Sequence, residues 1–321
     1  MLFTPPLPPP ILPPKQVVVW VHGTRPHELL PTNKLKKAFI TLKLHLSFCP
    51  LGLHTQAQLK KDNLHVYTVL QTLNAINPVF FENNHMYAFG WSGKLNPDER
   101  KKAAHELYTA LKKLRDTYIE RYGTCPPFMI ITHSHGANVA LNLATIPGND
   151  ILIDKLVLLA GPVQKETVCL VSSPLFKRVY SIHSHNDSFQ VLDPQGLHAI
   201  IKVAKAAWHE KSLDTVKELF NKDNGKHKLF SERHFPFQSN LIQANIAWAN
   251  KASWAPEDLA VFGDKAKIIK KLIKLDNNQR GLMHVEFLLP TFIKKLPSII
   301  NNLSNSVPIN SDLSPDITIQ L

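Results

Sequence analysis

The sequence predicts an α/β fold: a mostly parallel central sheet with helices on both faces and a helical cap or insertion. Three observations carry this. Short runs rich in β-branched residues (Gln16–His22, Pro127–Thr132, Ile153–Ala160, Arg178–His183) are apolar at successive positions, the pattern of strands covered on both faces. Stretches with helical spacing separate them, and strands alternating with helices build parallel sheets. Residues 196–275 then break the rhythm with helical sequence and an extended patch near 227–249, which reads as a cap or insertion on the main domain.

The elements follow in order. Gln16–His22 is a buried central strand ended by Gly23. Residues 33–48 carry Leu35, Phe39, Leu42 and Leu46 at helical spacing, and 57–78 read as mostly helix. Asn83-Asn84 marks a turn before a strand over His85–Trp91. Asn96-Pro97-Asp98-Glu99 starts a helix, with an N-cap Asn, Pro at the first helical position and Glu at the third. Ala104, Leu107, Tyr108, Leu111, Leu114 and Tyr118 form its apolar stripe, and it ends near Gly123. A small-residue helix runs from Gly136 to Thr145, and a last helix covers 285–303 despite Pro290 and Pro297. One domain over 16–303 is thus expected, between a proline-rich flexible arm (1–15) and a flexible tail (304–321).

Composition narrows the class. A hydrophobic fraction of 44% against 19% charged residues excludes global disorder in 321 residues. Three scattered cysteines point to a reducing compartment, so the expected location is cytoplasmic. No run of about 20 apolar residues is present to span a bilayer, and the N-terminus lacks the basic region of a signal peptide. The net charge of +12 suits anionic partners. The stretch Lys265–Lys274 sets five lysines against Ile268, Ile269, Leu272 and Ile273, which reads either as a surface helix packed on the sheet or as an interfacial helix on anionic lipid. No phosphate-cradling glycine motif and no nucleic-acid-binding motif occurs, so neither a cofactor nor a nucleic-acid partner is expected.

The segment most informative about chemistry is 128–144. An apolar strand runs into Thr132-His133-Ser134-His135-Gly136 and a helix leaves at once. A serine on such a turn projects at the C-terminal end of its strand, where open α/β sheets bind ligands. The helix start supplies free backbone N–H groups, and that of His135 can hold an oxyanion. Ser134 is the candidate nucleophile.

Here the sequence resembles the α/β-hydrolase superfamily, in particular its lipase- and esterase-like members. The likeness is to the G-x-S-x-G nucleophile elbow, with Gly136 as the second glycine and Thr132 in place of the first. It implies further roles. Val21-His22-Gly23-Thr24 would form the other half of the oxyanion hole, with the Thr24 amide as donor and Gly23 letting the backbone approach. The acid would lie in the loop after a later strand, where Asp187 is preferred over Asp193. His284, between Gly281 and the last helix, would be the base, completing the order Ser134, Asp187, His284. Phe89–Gly93, Arg100–Ala104 and the run from His284 to Pro297 are similar to lipase-like hydrolases of uncharacterised bacterial families. His22, His133 and Ser92 would line the site, though Gly90-Trp91-Ser92-Gly93 also reads as a plain turn.

His183-x-His185-x-Asp187 and His133-x-His135 contain good zinc ligands. A binuclear hydrolase site would want another histidine directly after Asp187, where Ser188 stands, so no metal is expected. The resemblance therefore implies a serine esterase acting on a small-molecule or lipid ester, with peripheral contact to an anionic membrane as a further expectation. The alternative is a binding or scaffold protein that keeps the architecture without catalysis, and Thr132 in the elbow is the feature that favours it.

Overall fold

Val17–Val21 (β1) holds four valines and a tryptophan, all buried, so this strand has to be covered on both faces. In the computed structural model it lies inside an eight-stranded sheet of order β2-β3-β1-β4-β5-β6-β7-β8. The residues described are 12–24, 49–61, 64–187, 190, 233–248, 255–261, 266–267, 283–306 and 317–321. The other strands are β2 (Gly52–Thr55), β3 (Met86–Gly90), β4 (Phe128–His133), β5 (Lys155–Leu159), β6 (Val179–His183), β7 (Leu241–Ala247) and β8 (Ile317–Gln320). β2 runs antiparallel to β3 and every other neighbouring pair is parallel. This is the mostly parallel sheet expected. β3 lies on one side of β1 and β4 on the other, so the connections diverge there and open a crevice at the strands' C-terminal ends.

The alternation of β1 splits the core in two. Val18 and Trp20 face a layer that includes α2 (His65–Ile76) and α7 (Pro290–Ser304). Val17, Val19 and Val21 face α3 (Pro97–Tyr122) and α4 (Gly136–Leu141). The start of α3 follows its local signals: the Asn96 side chain accepts from the Asp98 N–H at 2.8 Å and Pro97 opens the helix. Its end is Gly123, at φ 73°, where glycine carries no steric penalty. The expected stripe is buried except at Tyr108, which is partly exposed. Leu107 and Leu111 are fully buried, each stabilising the fold by roughly 1.5–3 kcal/mol.

Several expectations need correcting. β2 was not foreseen, because its Gly-Leu-His-Thr sequence has no apolar run. The region 57–78 is two helices, α1 (Gln56–Lys61) and α2. Within the expected insertion, Leu241–Ala247 is a strand of the main sheet, buried on both faces, and Pro256–Ala260 forms the short α5. The last helix is split: α6 (Met283–Glu286) ends in a turn, and Pro290 opens α7 at a position where its missing N–H costs nothing. The expected flexible tail ends in β8, whose alternating Ile317 and Ile319 pack on the core. The expected helix over 33–48, most of the arm, Asp193, and most of 196–275, including His198, His209 and His227, lie outside the described residues. Among the described residues no helix is long and apolar enough to cross a membrane.

Candidate active site

Parallel pairing sets Val21 beside Thr132, so the chain leaving β1 emerges next to the chain leaving β4. Ser134 sits in that second turn at φ 53°, a left-handed conformation rare for a residue with a Cβ. Such strain costs on the order of 1–3 kcal/mol and persists only where the surroundings impose it. The Ser134 N–H donates to Leu159 O at 2.9 Å, and Ser134 O accepts from the Ala137 N–H at 3.0 Å. Two glycines allow the close approach. A Cβ on Gly136 would lie 2.6 Å from His22 O, and one on Gly23 would lie 2.8 Å from the Ser134 Cβ. Thr132, in the position of the missing first glycine, is fully buried and its hydroxyl donates to Val157 O at 3.1 Å. The neighbouring strand takes up the side chain, which leaves the turn free to close.

Asp187 lies in the tight turn that follows β6, closed by its own N–H donating to Ser184 O at 3.1 Å. It is fully buried, and both its carboxylate oxygens are used. Oδ2 accepts from His284 Nδ1 at 2.7 Å, and Oδ1 accepts from the Gln190 N–H at 3.0 Å. Asp187, the aspartate preferred from the sequence, is thus joined to His284. A carboxylate on Nδ1 fixes the His284 tautomer and leaves Nε2 as its basic nitrogen.

His133, next to Ser134 in the chain, reaches α6. Its Nε2 donates to the backbone carbonyl of His284 at 2.9 Å, and the two rings stand 4.7 Å apart. The end of β4 and the start of α6 are therefore tied together. Burial holds the His133 imidazole well below its ordinary range, and the nearby His284 ring acts the same way. His135 is also buried and held low, by desolvation first and then by the charge of Arg100.

The turn after β1 is braced from β3. The Trp91 N–H donates to His22 Nε2 at 3.0 Å, which leaves Nδ1 to donate to Gly23 O at 2.6 Å. The Trp91 indole donates to His22 O at 2.7 Å. His22 therefore shapes the Gly23 turn. Thr24 is buried, and its hydroxyl has no partner among the described residues. Ser92 is half-buried and accepts weakly from the Lys94 N–H at 3.5 Å. Its hydroxyl also holds the Glu99 carboxyl below the usual range, so it organises the loop into α3.

Sequence reasoning missed several residues here. Gln190 also donates from its side chain to Gly161 O at 3.0 Å, and Arg233 donates to Asp187 O at 2.8 Å. Arg100 is buried and donates to Gln164 Oε1 at 2.8 Å. Its spacing to Ala104 and Leu107 sets a charge in phase with an apolar stripe, a signal that could have flagged it. His183 and His185 meet His234, whose Nε2 lies 3.1 Å from His183 Nε2. One ring nitrogen from each of these three histidines lies within 4.8 Å of the others, with His234 where the sequence pattern suggested Asp187. His133 and His135 take no part in it.

No family model matches the chain, and no curated protein matches it. Among solved structures, it is similar to a monoclinic form of a Pyrobaculum calidifontis esterase at 12% identity and TM-score 0.34, over 93% of this chain and 80% of that one. A second match is to a hyperthermophilic esterase from the archaeon Pyrobaculum calidifontis, at 12% identity and TM-score 0.35 over the same shares.

Proposed function

We propose that the protein is a serine hydrolase of esterase or lipase type that cleaves carboxylic esters through an acyl-enzyme on Ser134. The observation that carries this is the 2.7 Å hydrogen bond from His284 Nδ1 to buried Asp187, in a group tied to the Ser134 turn through His133. In this reading Ser134 Oγ attacks the ester carbonyl. His284 Nε2 takes its proton and returns it to the leaving alcohol. Asp187 keeps the imidazole in the required tautomer and stabilises the imidazolium. The Thr24 and His135 amides hold the oxyanion, a contribution of about 3–4 kcal/mol per donor to the transition state. Water, activated by the same histidine, then releases the acid.

The alternative of a non-catalytic binding protein drew its support from Thr132. The hydrogen bond from Thr132 to Val157 O weakens that support. The net charge of +12 favours a substrate presented on an anionic lipid surface.

The test is labelling of the purified protein by a fluorophosphonate, with Ser134→Ala alongside, followed by hydrolysis of p-nitrophenyl esters of rising chain length. We expect labelling that vanishes in the variant. A folded wild type that is neither labelled nor active on any ester would end the reading.

A further inference from the structure

We propose that His183, His185 and His234 form a binding site for a divalent transition-metal ion, zinc foremost, which clips the Asp187 loop to the chain entering β7. The site is separate from the ester-cleaving reading and does not depend on it.

The donor atoms are already gathered. One ring nitrogen from each histidine lies within 4.8 Å of the other two. The His183 and His234 Nε2 atoms are 3.1 Å apart. A tetrahedral zinc with Zn–N bonds of about 2.0–2.1 Å sets its ligand nitrogens about 3.3 Å apart, so this pair sits close to the spacing required and the His185 nitrogen, within 4.8 Å of both, closes on it. The His183 and His185 rings are parallel, 5.5 Å apart, and His234 stands edge-on to both.

The backbones that carry the ligands are anchored. His183 is the last residue of β6, fully buried and in register with Asn245 of β7. The His185 N–H donates to Asn245 Oδ1 at 2.9 Å. Beside His234, Phe235 is held at both its N–H and its carbonyl by the Gln243 side chain, at 2.8 and 3.0 Å. Strand β7 thus positions both outer ligands, and His185 and His234 are exposed, so an ion could enter and keep a water as fourth ligand. Asp187 is excluded as that ligand, because both its carboxylate oxygens are engaged elsewhere. An all-imidazole set suits zinc, copper or nickel rather than magnesium or calcium. His185 and Asp187 share one turn, and Arg233, beside His234, already donates to Asp187 O. A bound ion would therefore fasten the loop that bears Asp187.

The experiment uses the full chain stripped with chelator, then titrated with ZnCl2 by calorimetry and, separately, with Co(II) followed by its visible absorption. One ion per chain is expected, with a tetrahedral cobalt spectrum and a raised Tm on zinc addition. His185→Ala and His234→Ala should each weaken binding by more than about 100-fold, while Ser134→Ala binds zinc like the wild type. Both substituted histidines are exposed, so the variants should fold, and circular dichroism checks this. No stoichiometric binding to the wild type, or equal affinity in the His185→Ala/His234→Ala double variant, overturns the site. A loss of esterase activity in Ser134→Ala with zinc binding intact separates the two readings.

Discussion

Ser134 and Ala160 are the non-glycine residues at positive φ among those described, and they directly follow the adjacent strands β4 and β5. The strain at Ser134 is imposed by neighbours with no room to yield. Gly136→Ala would push a methyl against two backbone carbonyls, at 2.6 and 2.7 Å, so the helix start must move away from β1. We expect a loss of about 3 kcal/mol in stability and disappearance of fluorophosphonate labelling, read by urea unfolding and by gel. A well-folded Gly136→Ala protein that labels normally would show that the close approach is dispensable. Asp187→Asn keeps the shape but can donate to His284 Nδ1, turning the imidazole into the wrong tautomer. On the proposed chemistry kcat should fall on the order of 10⁴-fold with KM little changed, measured on the best p-nitrophenyl ester. A loss below tenfold would remove Asp187 from the role of acid.

At the scale of elements, local signals and tertiary pairing separate cleanly. The Asn96–Glu99 start and Gly123 end of α3 were legible because capping is decided within one turn. The strand–serine–helix junction was legible because it is contiguous. β8 was not legible: four residues of alternating character become a strand only when the β7 edge is there to pair with. Removal of residues 307–321 should cost about 2 kcal/mol through the lost burial of Ile317, Ile319 and Leu321, read as a lowered urea midpoint. An unchanged midpoint would mean that the strand adds nothing. Asp187 was preferred from its place in the turn after β6, but its hydrogen bond to His284 was out of reach, because that depends on how α6 packs against the end of β6.

For the whole molecule, burial of His133 and His135 couples stability to pH. Both imidazoles are held well below their ordinary value of 6.5, chiefly by desolvation. Below that value the unfolded chain takes up protons that the folded chain refuses. Their contribution is therefore intact above pH 6.5 and is lost as pH falls from there toward the depressed folded values. Each histidine should contribute a slope of about 1.4 kcal/mol per pH unit in that window. Urea unfolding from about pH 7.5 down to about pH 5 checks this, with His135→Leu expected to show a shallower slope. A flat profile for the wild type would contradict the burial argument.

The sequence by itself determined the alternation of buried strands and helices, the caps of α3, and the turn that carries Ser134, because each depends on residues close together in the chain. It also supplied the order Ser134, Asp187, His284 through resemblance. Only the tertiary structure decided that Asp187 meets His284, that the Val157 carbonyl accepts from Thr132, that His22 braces a turn, and that His234 joins His183 and His185. These are distances between residues far apart in sequence, set by sheet order and register, and no local pattern encodes them.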